Sequence, residues 1–153
     1  MYLIDANIIL EVLYKRSRWK ECYEFLNKVK AGKIKAYILH FTLHGISAIL
    51  GKPEIVVKFL SEILSWRGLY IVDLSLEEEI IASEQAIKLN LDFDDGFQYY
   101  YANKAGIKII SFDKDFDKTN IQRIEPKDVW NFAILKKSLI IKIKNCFKLQ
   151  QIE

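Results

Sequence analysis

Between Tyr2 and Phe112 the chain alternates short apolar runs with stretches of helical periodicity, and that rhythm admits few folds. The runs are Tyr2 to Ile4, Ile34 to Leu39, Leu69 to Asp73 and Ile107 to Phe112, with Ile121 to Ile124 as a candidate fifth. Each is too short for a helix, and the intervening stretches are long enough for helical crossovers, which parallel strands require. The pattern predicts a three-layer α/β/α domain with a mainly parallel central sheet of four to five strands.

Local signals set the helix boundaries. Ile8, Ile9, Val12 and Leu13 follow helical spacing after Asn7, and a second helix over 18–31 turns Trp19, Cys22, Tyr23, Leu26 and Val29 inward before Gly32 stops it. Thr42 to Leu50 closes at Gly51, and Pro53 opens a helix that runs to about Trp66. Ser75 with Glu78 forms a capping box for a helix over 76–88. Asp94 and Asp95 open the last helix, with Asp94 as a candidate cap and Phe97, Tyr100, Tyr101 and Ala102 inward, until Ala105-Gly106 ends it. This domain occupies residues 1–130. Residues 131–153 form a basic amphipathic extension, with Phe132, Leu135, Leu139, Ile140, Ile143 and Phe147 in an apolar stripe flanked by lysines. The stripe suits packing on the domain or on a second copy; its basic face suits RNA or a membrane surface.

Composition removes several classes. At 51% hydrophobic and 28% charged residues the chain is globular rather than disordered. A net charge of +3 is too small to argue for nucleic acid alone, although Lys and Arg dominate 14–36 and 136–148 while acids dominate 73–95 and 113–128. Cys22 and Cys146 are too few and too far apart for a metal knuckle. Asp5 interrupts the first apolar run, which argues against a signal peptide. No segment reaches the roughly 18 apolar residues that a membrane span needs, so a cytoplasmic protein is expected.

The acids carry the functional signal. Asp5 ends the first strand, and Ser111-Phe112-Asp113-Lys114-Asp115-Phe116-Asp117 follows the fourth. Ligands of open α/β sheets bind beyond the carboxyl ends of the strands, so Asp5, Asp113 and Asp115 can converge there with Asp94 and Asp95. Clustered carboxylates raise one another's pKa, and a divalent cation offsets that cost. An all-oxygen set suits Mg²⁺ or Mn²⁺ and the hydrolysis of phosphodiesters. The plainer roles are turn former and helix cap, which suit Asp94 and Asp117 better than Asp5. His40 and His44 lie four apart on one helix face, but sequence offers them no third metal ligand nearby.

Leu3-Ile4-Asp5-Ala6-Asn7, Phe93-Asp94-Asp95-Gly96-Phe97 and Ile110-Ser111-Phe112-Asp113-Lys114-Asp115-Phe116 resemble, in order and spacing, the three acidic motifs of PIN-domain ribonucleases. The resemblance spans roughly residues 1–130. It implies a Mg²⁺- or Mn²⁺-dependent endoribonuclease acting on single-stranded RNA, of the kind found as the toxin of toxin–antitoxin pairs, with an antitoxin protein as partner and a homodimer as the expected assembly. It implies Asp5, Asp95 and Asp113 as metal ligands, Asp115 as a further catalytic acid, and Asn7, Asp94 and Ser111 as support. One position departs: where the family has glutamate in a Thr-Leu-x-Glu pattern, Thr42-Leu43-His44-Gly45 has glycine.

Two other functions fit the same residues. A catalytically degenerate module would bind RNA or protein without cutting, which Gly45 favours. A phosphate-handling hydrolase would use Asp5 as nucleophile, but Asn7 stands where a second aspartate is wanted. Lys15, Arg16, Arg18 and Lys20 are candidate contacts for an RNA backbone, or simply a solvated helix end. Tyr99, Tyr100 and Tyr101 could stack on bases, although consecutive helical residues face different ways and at least two should be core or subunit contacts.

Overall fold

The computed structural model describes residues 1–129. Five strands, β1 (Tyr2–Ile4), β2 (Ala36–Leu39), β3 (Leu69–Val72), β4 (Lys108–Ile110) and β5 (Arg123–Ile124), form one all-parallel sheet in the order β3-β2-β1-β4-β5. Six helices connect them: α1 (Ala6–Leu13), α2 (Trp19–Lys30), α3 (His40–Leu50), α4 (Pro53–Leu64), α5 (Leu76–Leu89) and α6 (Phe93–Ala105). A 3₁₀ turn, Lys114–Lys118, follows β4. The expected three-layer architecture is present.

Alternation along the buried strands builds both cores. Ile4, Ile38 and Ile110 enter one apolar cluster with Ile8, Phe25, Leu43 and Phe59 from α1 to α4, whereas Leu3, Leu39 and Ile109 enter the other with Ala82, Phe97 and Ala102 from α5 and α6. Successive side chains on a strand point to opposite faces, and here both faces are covered, which is why these runs are continuously apolar. At the β3 edge, Tyr70 and Ile71 stay exposed.

The helix ends follow their local chemistry. Ser75 and Glu78 make the reciprocal capping box, and Gly106 ends α6 at φ +62°, a left-handed conformation that glycine adopts without steric cost. Gly96 has a different job: a Cβ there would lie 2.5 Å from the Ala86 Cβ, so its absence allows α6 to pack closely on α5.

Two apolar positions, Tyr23 and Leu13, lie at the surface, and two tyrosines expected inward reach the core only in part. Tyr23 is 51% exposed and Phe25 takes the buried place on α2, because the buried face runs through Cys22, Phe25, Leu26 and Val29 rather than through Trp19 and Tyr23. Leu13 is exposed at the end of α1. Tyr100 and Tyr101 are only half-buried, while Tyr99 enters the core and donates its hydroxyl to Asn120 at 2.8 Å. The extension expected over 131–153 lies outside the described residues.

Candidate metal centre

The sheet changes direction at β1. Strands β2 and β3 lie to one side of it and β4 and β5 to the other, which opens a crevice between the carboxyl ends of β1 and β4. Asp5 leaves β1 there. Its backbone N–H still bonds to the Ile110 carbonyl at 3.1 Å, so the acid is held as an extension of the β1–β4 pairing.

Ser111 links the two strand ends. Its buried hydroxyl donates to Asp5 Oδ2, accepts from Asn7 Nδ2 at 3.0 Å and accepts the Asp113 N–H at 2.9 Å. Asn7 also donates to Asp5 at 2.6 Å and accepts weakly from the Phe112 N–H. Thus Asn7 touches Asp5, and Ser111 touches both Asp5 and Asp113. Arg123 braces the arrangement by donating to the Ser111 carbonyl at 3.0 Å while gripping Asp117 with two nitrogens.

Beside this network, Asp95, Asp113 and Asp115 each offer a carboxylate oxygen, and these atoms all lie within 4.8 Å of one another. Among the described residues this is the one such gathering of potential metal ligands. Asp95 comes from the first turn of α6, Asp113 caps the 3₁₀ turn by accepting the Asp115 N–H at 2.8 Å, and Asp115 pairs with Lys118 at 2.6 Å. Asp5 is close enough to couple electrostatically to both Asp95 and Asp113.

The cost of this assembly falls on two groups. Burial, aided by Asp94, Asp113, Asp5 and Asp92, pushes the Asp95 carboxyl up to about 7. Burial also raises Asp5, although its hydrogen bonds from Ser111, Gln98 and Asn7 work the other way. Carboxylates that resist ionisation unless a cation joins them suit a divalent ion, and the donor set is all oxygen, as Mg²⁺ and Mn²⁺ prefer. Gln98 adds a second indication. It is 3% exposed, its Nε2 donates to Asp5 Oδ1 at 3.3 Å, and its Oε1 has no protein partner. An orphaned buried acceptor at such a place calls for a water or ion.

Gln98 and Arg123 are the residues that sequence reading missed. Gln98 lies three residues after Asp95 on α6 and so shares its face; that spacing was a usable signal. Nothing in sequence marks Arg123. Asp94 is exposed and lies inside the first turn, with Asp92 at the cap position, so it is not the cap of α6; it contributes negative potential to Asp95. Arg18 is no free cation for RNA: it pairs with Glu21 and Glu125 and its guanidinium lies 3.8 Å from the centre of the Phe112 ring. Asp117 is tied to Arg123 rather than simply solvated. Glu11 accepts the Arg18 N–H at 2.8 Å and is engaged there. A Cβ at Gly45 would meet nothing within 4 Å, so the position has room for a larger side chain.

A family model described as PIN domain matches residues 2–122. Among solved structures, the chain is similar to a toxin–antitoxin complex from Klebsiella pneumoniae (TM-score 0.62, 16% identity, 82% of this chain and 98% of that one). It is also similar to a sarcin-ricin-loop-cleaving toxin of Mycobacterium tuberculosis (TM-score 0.65, 14% identity, 79% and 96%). A third is VapBC2 from Rickettsia felis bound to a DNA fragment from its promoter (TM-score 0.61, 15% identity, 81% and 97%). No curated protein matches the sequence significantly.

Proposed function

Since the chain belongs to the PIN-domain family, we propose that it is a divalent-metal-dependent endoribonuclease that cleaves single-stranded RNA as the toxin of a toxin–antitoxin pair. The observation that carries this reading is the convergence of Asp95, Asp113 and Asp115 within 4.8 Å at the sheet's switch point, beside the buried Asp5.

Asp5, Asp95 and Asp113 are the residues assigned to hold Mg²⁺ or Mn²⁺, with Asp115 assisting. Held there, such an ion would supply Lewis-acid chemistry for hydrolysis of a phosphodiester. The protein's own part is positional. Ser111 and Asn7 fix the Asp5 carboxylate, the Asp115 N–H fixes Asp113, and α6 presents Asp95 from its first turn, where the helix's positive end favours negative charge. Lys118, which reaches Asp115, is exposed and can exchange that contact for an RNA phosphate. Lys15, Arg16 and Lys20 are exposed beyond α1 and are assigned to the RNA backbone. Tyr99 is excluded from base stacking by its burial. The nuclease unit is assigned to residues 1–130, with 131–153 as an extension. The antitoxin partner rests on the toxin–antitoxin complex among the structural neighbours; a homodimer and a cytoplasmic setting complete the proposal. Among the described residues, no helix is long and apolar enough to cross a membrane.

Gly45 supports a second reading, a degenerate module that binds RNA or protein without cutting, because α3 contributes no carboxylate at that position. The test is incubation with unstructured RNA and Mn²⁺ or Mg²⁺ beside an Asp113→Asn control. Metal-dependent cleavage that disappears in the control supports the nuclease. Intact RNA after prolonged incubation, with binding retained, refutes it in favour of the second reading.

A further inference from the structure

His40 is the first residue of α3 and His44 lies one turn later; both side chains are exposed and their ring centroids are 4.2 Å apart. The sequence offered this pair no companion. The fold supplies one, because β3 lies beside β2 and its carboxyl end brings Asp73 to the start of α3. Asp73 Oδ2 stands 3.7 Å from His40 Nδ1, while Asp73 Oδ1 accepts the Leu74 N–H at 3.1 Å, which holds the carboxylate in that orientation.

We propose that His40 and His44 form a second cation site, for a borderline transition metal such as Zn²⁺, with Asp73 as the positioning residue behind His40. Imidazole nitrogens suit Zn²⁺, Ni²⁺ and Cu²⁺, whereas the hard oxygen cluster at Asp95, Asp113 and Asp115 suits Mg²⁺ and Mn²⁺. Zn–N bonds of about 2.0–2.1 Å bring two ligating nitrogens roughly 3 Å apart, a spacing that two rings already this close reach by side-chain rotation. A histidine that binds metal through one nitrogen usually directs the other toward a carboxylate. Asp73 fits that place, since 3.7 Å is longer than a hydrogen bond and is closed by a small rotation of either exposed group. Asp73 is not a third direct ligand, because among the described residues only the aspartate cluster gathers three ligand atoms within 4.8 Å. Its charge also offsets the positive end of α3, which by itself would repel a cation. Water completes the coordination, leaving the site open to exchange.

The test uses the full chain carrying Asp95→Asn, Asp113→Asn and Cys146→Ala, so that neither the aspartate cluster nor the second thiol competes; Cys22 is buried. Zn²⁺ titration by calorimetry is expected to give one site per chain. His44→Ala in that background should weaken it at least about tenfold, and Asp73→Asn by about tenfold. Cu²⁺ should broaden amide resonances around residues 40–44 and 73. Absence of Zn²⁺ binding up to about 100 µM, or His44→Ala binding as the background does, overturns the site. Asp73→Asn binding as the background does overturns the role given to Asp73. The background already lacks two of the three proposed nuclease ligands, so either result leaves the nuclease reading to its own assay.

Discussion

Asp95→Asn should make the metal-free protein more stable while abolishing its response to Mg²⁺. Asp95 carries a carboxyl whose pKa stands at about 7 against an ordinary 3.8. An acid with a raised folded-state value binds its proton more tightly folded than unfolded, so stability falls as pH rises from about 4 to about 7, and the whole penalty is present above 7. The gap, at about 1.4 kcal/mol per pH unit, sets a ceiling of about 4 kcal/mol. Relaxation and water entry around the site lower the effective cost of a buried charge, so about 2 kcal/mol is expected. For a chain of this size that is about 4–8 °C in Tm. The amide keeps the shape of the acid and removes its charge. In thermal melts at pH 8 with EDTA the variant should melt that much higher than the parent, and the difference should shrink at pH 5. Added Mg²⁺ should raise the parent's Tm and leave the variant's unchanged. A variant no more stable than the parent at pH 8, or an advantage of equal size at pH 5, refutes the burial argument. Equal Mg²⁺ stabilisation of both proteins removes Asp95 from the ligand set.

Gly45→Glu has open space for its side chain and should tighten Mg²⁺ binding by about tenfold, about 1.4 kcal/mol; Gly45→Ala, which gains about 1 kcal/mol of helix propensity alone, separates charge from backbone in the same titration. Ser111→Ala removes one hydroxyl from Asp5, Asn7 and the Asp113 N–H at a fully buried position, so urea denaturation should show a loss of about 1–3 kcal/mol together with weaker Mg²⁺ binding. Gly96→Ala forces a methyl against Ala86 and should cost about 1–3 kcal/mol. Combining it with Ala86→Gly should recover part of that loss, and strict additivity of the two would contradict close packing of α5 and α6.

Much of the fold is legible along the chain because its signals are local. A capping box at Ser75, a first-turn proline at Pro53 and a terminal glycine at Gly106 work through neighbours in sequence, so they can be read without knowing the rest. The inward face of α2 was not readable in the same way. Trp19 and Tyr23 pair with each other at the surface, their ring centroids 6.2 Å apart, while Phe25 fills the core; large aromatics serve either place, and only the neighbouring helices decide which.

The site divides along the same line. Sequence alone determined which acids end strands and open α6, hence the chemistry a cleft between β1 and β4 would offer, because residue type and periodicity are properties of the chain. Tertiary structure decided which of those acids meet. It gathered Asp95, Asp113 and Asp115 and set Asp5 among Ser111, Asn7 and Gln98; it tied Arg18 to Glu125 and brought Asp73 to His40. Those pairings join residues from different crossovers, and their distances depend on strand order and helix packing, which no local pattern encodes.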